Sequence, residues 1–284
     1  MTDTIQRFLF EQTDIRGAII RLDSSFEQLI AAASYSPEQQ DLLAEFAVAS
    51  VLLANQLKFT GRVSLQARSS DGLLIVAESQ DQLFYRAVIE GESESWDFAK
   101  IFAKGGVLAL TIEPEQGKRY QGVVPLEKPD LAGCLADYFM QSEQLPSWFH
   151  FAKLGNKTAA IMLQALPKQI CKDDAQRDED WQRIRHLAET ISRDEMLVLP
   201  FNEILYRLYH EETVRVFDAQ DVAFRCTCSE EKMERALLHI GEKELLEILE
   251  EQGSIDTQCH FCHRNYHFKK PEIQLLLRGG HGGH

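Results

Sequence analysis

No stretch of this chain approaches the roughly 20 consecutive apolar residues that a membrane-spanning helix needs, which argues against a helical membrane protein. The first residues, Met1 to Ile5, carry neither a basic start nor a long apolar segment, so no secretory signal is expected and a cytoplasmic location follows. Positive charge is also scarce: 30 Lys and Arg stand against 44 Asp and Glu, a net charge of -14. Such a balance disfavours general attraction to nucleic acid or to anionic membranes, and neither is expected as a partner. Catalytic signatures are missing as well. There is no G-x-S-x-G, H-E-x-x-H or G-x-G-x-x-G pattern, and Gly155-Asn-Lys157-Thr158 lacks the glycines of a phosphate loop and reads as a turn. No catalytic residue is assigned and no enzyme is expected.

What is present is an ordinary globular composition, 44% hydrophobic and 26% charged, over 284 residues, long enough for two domains. Phe8 to Phe10 and Ile15 to Leu22 read as strands. Ser36-Pro37 then opens a helical pattern through Leu42, Leu43, Phe46, Ala47 and Val51. From Val63 the period changes to strands punctuated by Ser70-Asp71-Gly72 and Glu115-Gln-Gly117, followed by a helix from Asp130 and two strands over Trp148 to Leu166. This order, without regular βαβ alternation, predicts an α+β domain over 1–175 with a mixed sheet-and-helix build.

A helical connector over 176–225 follows. From Asp173 to Arg225 thirteen acidic residues face seven basic ones, with Trp181, Ile184, Leu187 and Ile191 at helical spacing as an amphipathic stripe that must cover something, most simply the first domain. A small module over 226–278 closes the fold, and 279–284 is expected to be a disordered tail whose two histidines have no role.

The module contains the sharpest signal. Four of the six cysteines form two tight pairs, Cys226-Thr-Cys228 and Cys259-His-Phe-Cys262, separated by thirty residues. Two such pairs supply the four thiolates of a closed tetrahedral zinc site, so Cys226, Cys228, Cys259 and Cys262 are the expected metal ligands, with one zinc per chain. In the insert, Ser229-Glu-Glu-Lys232 is a helix-capping pattern, Gly241 should end that helix, and Gly253 should end a second. A unit this small has little core, and structural zinc contributes roughly 10 to 16 kcal/mol in finger peptides, so metal loss should unfold it. Crowded thiolates are also the oxidisable form of cysteine, and each has a neighbour able to resolve a sulfenic acid. A permanent structural zinc and a redox switch both remain open on this chemistry. His260 and His263 flank the second pair without being needed as ligands. Cys134 reads as a buried small hydrophobe, and Cys171 as reactive only if exposed.

Arg225-Cys226-Thr-Cys228-Ser229 and Cys259-His-Phe-Cys262, together with Tyr120 to Val124, Leu135 to Pro146 and Leu205 to Glu212, resemble the heat-shock protein 33 family of redox-regulated bacterial chaperonins. The resemblance covers nearly the whole chain. It implies an ATP-independent holdase for unfolded or aggregation-prone clients. In the resting form the four cysteines would hold zinc. On oxidation, disulfides Cys226 to Cys228 and Cys259 to Cys262 would form, the module and connector would unfold, and the protein would act as a homodimer. Outside that resemblance, a constitutive zinc-ribbon-like module binding protein or RNA is the competing expectation.

Overall fold

The computed structural model describes residues 3–56, 60–80 and 83–279. The chain divides into two compact units, Met1–Arg225 and Cys226–His284. The first unit opens with β1 (Thr4–Phe10) and β2 (Ile15–Leu22), then α1 (Ser24–Ile30) and α2 (Pro37–Asn55). Strands β3 (Gly61–Ser69), β4 (Leu74–Gln80) and β5 (Phe84–Glu90) follow, then α3 (Phe98–Phe102), β6 (Gly106–Pro114) and β7 (Tyr120–Pro125). Helix α4 (Leu131–Ser142) leads to β8 (Ser147–Leu154) and β9 (Lys157–Ala165).

Helix α2 is the centre of this unit. Ser36 caps it, accepting from the Gln39 backbone while the Gln39 side chain returns to the Ser36 N–H, and Pro37 occupies the first turn, where its missing N–H costs nothing. From Leu42 to Asn55 almost every side chain is buried, because the helix packs against strands of two different sheets. One sheet has the order β8-β9-β2-β1, and the other runs β5-β4-β3-β6-β7, each antiparallel throughout these strands. The α+β architecture expected from the pattern is the one observed.

Residues after β9 complete both sheets. Helices α5 (Asp174–Ala188), α6 (Arg193–Val198) and α7 (Phe201–Tyr209) are followed by three short strands, β10 (Val214–Val216), β11 (Gln220–Asp221) and β12 (Ala223–Phe224). β10 and β11 pair with β1, and β12 joins β5 in parallel. Strand β2 is consequently buried on both faces. Its even positions Ala18, Ile20 and Leu22 face the cluster around α2, while Ile15 and Ile19 face a second cluster built from α5, α6 and α7. Gly17 lies on that second side, where a Cβ would come within 2.2 Å of the Phe8 ring, so only glycine lets Phe8 lie flat across the strand.

The second unit contains α8 (Glu230–Leu238), α9 (Glu242–Gln252), β13 (Ser254–Gln258), β14 (Asn265–Lys269) and α10 (Lys270–Gly279). The Ser229 hydroxyl accepts from the Lys232 N–H, as its capping pattern predicts. Gly253 closes α9 in the left-handed conformation with φ 79°, where a side chain would be strained. Gly241 differs from expectation: α8 already ends at Leu238, and Gly241, with φ 106°, is the residue from which α9 starts. Helix α10 carries the chain through Gly279, and the expected tail from 280 to 284 lies outside the described residues. The core consists of Leu237, Leu245, Leu249, Ile255, Phe268, Ile273 and Leu277.

Candidate metal centre

Two turns carry the four cysteines. Cys226 and Cys228 lie on the extended segment that enters α8, while Cys259 and Cys262 lie in the turn between β13 and β14. The hairpin fixes the second turn tightly, because Gln258 pairs with Asn265 at its mouth. Inside it the Cys259 N–H donates to the Arg264 carbonyl at 3.0 Å, and the His263 N–H donates to the Cys259 carbonyl at 2.8 Å. His263 completes the turn at φ 53°, a left-handed position where an ordinary residue sits only if its surroundings hold it.

The four sulfurs all lie within 4.8 Å of one another. The contacts between turns are short, Cys226 Sγ to Cys259 Sγ at 3.6 Å and Cys228 Sγ to Cys262 Sγ at 3.4 Å. A tetrahedral zinc with Zn–S of about 2.3 Å sets its ligand sulfurs about 3.8 Å apart, so the donor set fits that ion in number, chemistry and spacing. All four are free thiols, as are Cys134 and Cys171.

The electrostatics point the same way. Burial pushes the Cys226 and Cys262 thiols upward, and the neighbouring sulfurs add to the effect by repelling a second negative charge. Cys228 is the exception. Burial raises it too, but hydrogen bonds from the Tyr266 hydroxyl and the surrounding thiols outweigh that and bring it down to about 7. Without a cation, only the Cys228 thiolate is favoured by its neighbours over its own burial. A bound cation is what would allow all four to be thiolates at once.

The matching family description is Hsp33 protein, which fits residues 3–269. The chain belongs to the Hsp33 family. Two strains of Pseudomonas aeruginosa, LESB58 and PAO1, have a 33 kDa chaperonin 40% identical over 283 residues, covering 98% of this chain and 95% of that one. The 33 kDa chaperonin of Pseudomonas savastanoi pv. phaseolicola is 37% identical over 289 residues. Among solved structures, the crystal structure of the heat shock protein 33 homolog from Thermotoga maritima superposes with a TM-score of 0.85 over 100% of both chains, at 22% identity.

In this Hsp33 chain the remaining residues singled out from the sequence fall into three places. Trp181, Ile184 and Ile191 are buried and Leu187 is partly buried, packed with Phe8, Phe10, Ile15, Ile161 and Leu163 on the outer face of the first sheet. His260 is exposed at the hairpin tip, and His263 points its Nδ1 at the Gln258 Oε1, 3.3 Å away. Neither belongs to the sulfur cluster. Cys134 is a buried residue of α4, with its thiol held above the usual range by that burial, whereas Cys171 is half-buried with its sulfur 3.6 Å from the Asp173 carbonyl.

Two groups of functional contacts were not visible in the cysteine spacing. The Tyr266 hydroxyl donates to Cys228 Sγ at 3.0 Å. In the first unit, Arg21 and Asp14 pin the segment after β9. Arg21, only 6% exposed, donates through Nε and Nη2 to the Met196 carbonyl at 3.0 and 2.6 Å and through Nη2 to the Leu199 carbonyl at 2.6 Å. These carbonyls are the unpaired ones at the end of α6, so the guanidinium serves as its C-terminal cap. Asp14 accepts from the backbone N–H groups of Gln169, Ile170 and Cys171 and from the Arg177 guanidinium. Burial alone would raise its carboxyl, but those donors hold it below the ordinary carboxylate range. The available signal for both is a polar residue inside an apolar strand-forming run, Asp14 at its edge and Arg21 near its end.

Proposed function

We propose that this Hsp33-family protein is an ATP-independent holdase chaperone, switched on when its four C-terminal cysteines are oxidised. The observation that carries this is the gathering of four reduced sulfurs within 4.8 Å in a unit with only a small apolar core. The relatives' printed name, 33 kDa chaperonin, supports the chaperone part. A zinc ion bound there supplies the tie between the two turns and keeps all four sulfurs ionised.

The chemistry of the switch follows from the thiolates. One sulfur of a pair attacks a peroxide oxygen, the O–O bond breaks, and a sulfenic acid and hydroxide remain. The neighbouring thiolate then attacks the sulfenic sulfur, an S–S bond forms, and a second hydroxide leaves. Each pair gives two electrons to one peroxide, and with two protons the oxygen leaves as two waters. Disulfides Cys226 to Cys228 and Cys259 to Cys262 each close within one turn. They consume all four ligands without joining the turns to each other, so the unit loses its tie instead of gaining a new one.

The unfolding is expected to pass from this unit into 176–225, which directly precedes Cys226 in the chain and contributes only short edge strands, β10 to β12, to the sheets. Releasing that segment would uncover the apolar surface formed by Trp181, Ile184, Leu187, Ile191 and their partners on β1, β2 and β9, a surface suited to unfolded clients. The oxidised form is expected to be a homodimer.

Peroxide with mild heat tests the proposal. Zinc release of about one ion per chain, together with suppressed aggregation of a denatured client, is the expected result. Retained zinc with unchanged client aggregation would instead support a constitutive zinc-binding module.

A further inference from the structure

Three of the ligand sulfurs are set by their own local backbone or lie buried in the turn, whereas Cys228 is held from the other half of the centre. Cys226 takes a backbone hydrogen bond from Cys228, Cys262 takes one from Arg264, and Cys259 is buried. Cys228, on the extended entry to α8, takes its hydrogen bond from a side chain of β14, the Tyr266 hydroxyl at 3.0 Å. Nothing about that hydroxyl is left loose. Tyr266 stands opposite Thr257 in the hairpin, its ring packs against the small core of the unit, and the positive charge of the Arg264 guanidinium bears on its hydroxyl.

We propose that Tyr266, supported by Arg264, is a positioning residue of the metal centre, which holds the Cys228 sulfur in place as a ligand and restrains its attack on oxidants. This rests on the four-thiolate reading above. An O–H donor shares the lone pair that a thiolate would otherwise use as a nucleophile, and it spreads negative charge away from a sulfur crowded by three others. The same bond links the Cys226-Thr-Cys228 segment to the hairpin directly, independently of the metal. Because the Arg264 guanidinium polarises the hydroxyl, the phenol becomes a stronger donor towards sulfur. A sulfur engaged in a disulfide is a far weaker acceptor than a thiolate, so the link is lost on oxidation along with the ligand.

Tyr266→Phe keeps the ring and the core packing and removes only the donor. Partners that hydrogen-bond to metal ligands typically carry about 10- to 100-fold in metal affinity. The variant should therefore bind zinc about tenfold or more weakly in competition with a chelator, and it should release zinc to peroxide faster than the wild type. With cobalt(II) in place of zinc, the sulfur-to-metal charge-transfer absorption should move to longer wavelength, a change that loss of packing alone would not produce. Arg264→Gln, at an exposed position that does not threaten folding, should shift all three readouts in the same direction by less. Unchanged affinity, release rate and absorption in both variants, with one zinc bound in the wild type, would overturn this inference alone. A wild-type chain that takes up neither zinc nor cobalt would overturn the four-thiolate reading and this inference together.

Discussion

Among the described residues, helix α2 alone contributes thirteen buried residues to the first unit, while the second unit has an apolar core of seven buried residues. What holds the first is apolar area packed between two sheets. The second gathers sulfurs where the first gathers leucines and phenylalanines, and on the function proposed above it exchanges robustness for sensitivity to whatever reacts with thiolates. Within the first unit, the segment after β9 is acidic and built of short elements, held by apolar packing, by the short strands β10 to β12 and by a few buried polar pins.

The contrast can be broken most severely by chelating metal under reducing conditions. Structural zinc contributes roughly 10 to 16 kcal/mol in small domains, so its removal should unfold the second unit outright and leave α2 intact. Hydrogen exchange would show this as lost protection over 230–277 with full protection retained at 42–54; loss of protection in both would mean that the two units are not independently held.

A smaller effect is expected from Arg21→Gln. Its guanidinium satisfies the carbonyls of Met196 and Leu199 and stacks over the Phe201 ring, 5.0 Å from the centroid. Leaving those buried carbonyls short of donors should cost about 2 to 4 kcal/mol, concentrated in α6 and α7. Exchange at 193–209 should speed up in the reduced protein without any change in zinc content. If exchange there is unaltered, the pin is not what holds this segment.

The smallest effect concerns the first unit's own weak point. Glu45 lies on α2 among the buried residues, and its carboxyl is pushed up to about 7, first by burial and then by the nearby charges of Asp130 and Asp41, the latter paired with Lys153 at 2.7 Å. For an acid raised in the folded state, the penalty is absent below the unfolded value of about 4.3, grows as pH rises from there to the folded value, and is constant above it. Because Glu45 is partly exposed, solvent screening keeps the effect below the roughly 3.5 kcal/mol of the full shift, and Glu45→Gln should stabilise the unit by about 2 kcal/mol at pH 8 and leave it nearly unchanged at pH 4. Equal melting shifts at both pH values would contradict this account of the site.

The longer strands and helices of the first unit, and the helix starts at Ser36 and Ser229, follow from local rules of periodicity and hydrogen bonding and are legible in the sequence, whereas the five-residue α3 is too short to show a period. The zinc-like spacing of the two cysteine pairs is equally local. Helix α10 was not legible, because Lys270-Pro-Glu follows a strand without a break and the tail glycines suggested an end instead. Gly241 misled for a related reason: a glycine of positive φ can finish one helix or precede the next, and only the backbone decides between them.

What the sequence determined by itself was the chemistry available: four thiols in two turns, an amphipathic acidic stretch before them, and an apolar helix long enough to organise a core. Tertiary structure decided which of these meet. That β10 and β12 complete different sheets, that Arg21 caps α6 across 175 residues of chain, and that Tyr266 reaches Cys228 across the metal centre are all long-range pairings. The physical reason is that such contacts depend on where the backbone brings distant segments, and no local period or spacing encodes that.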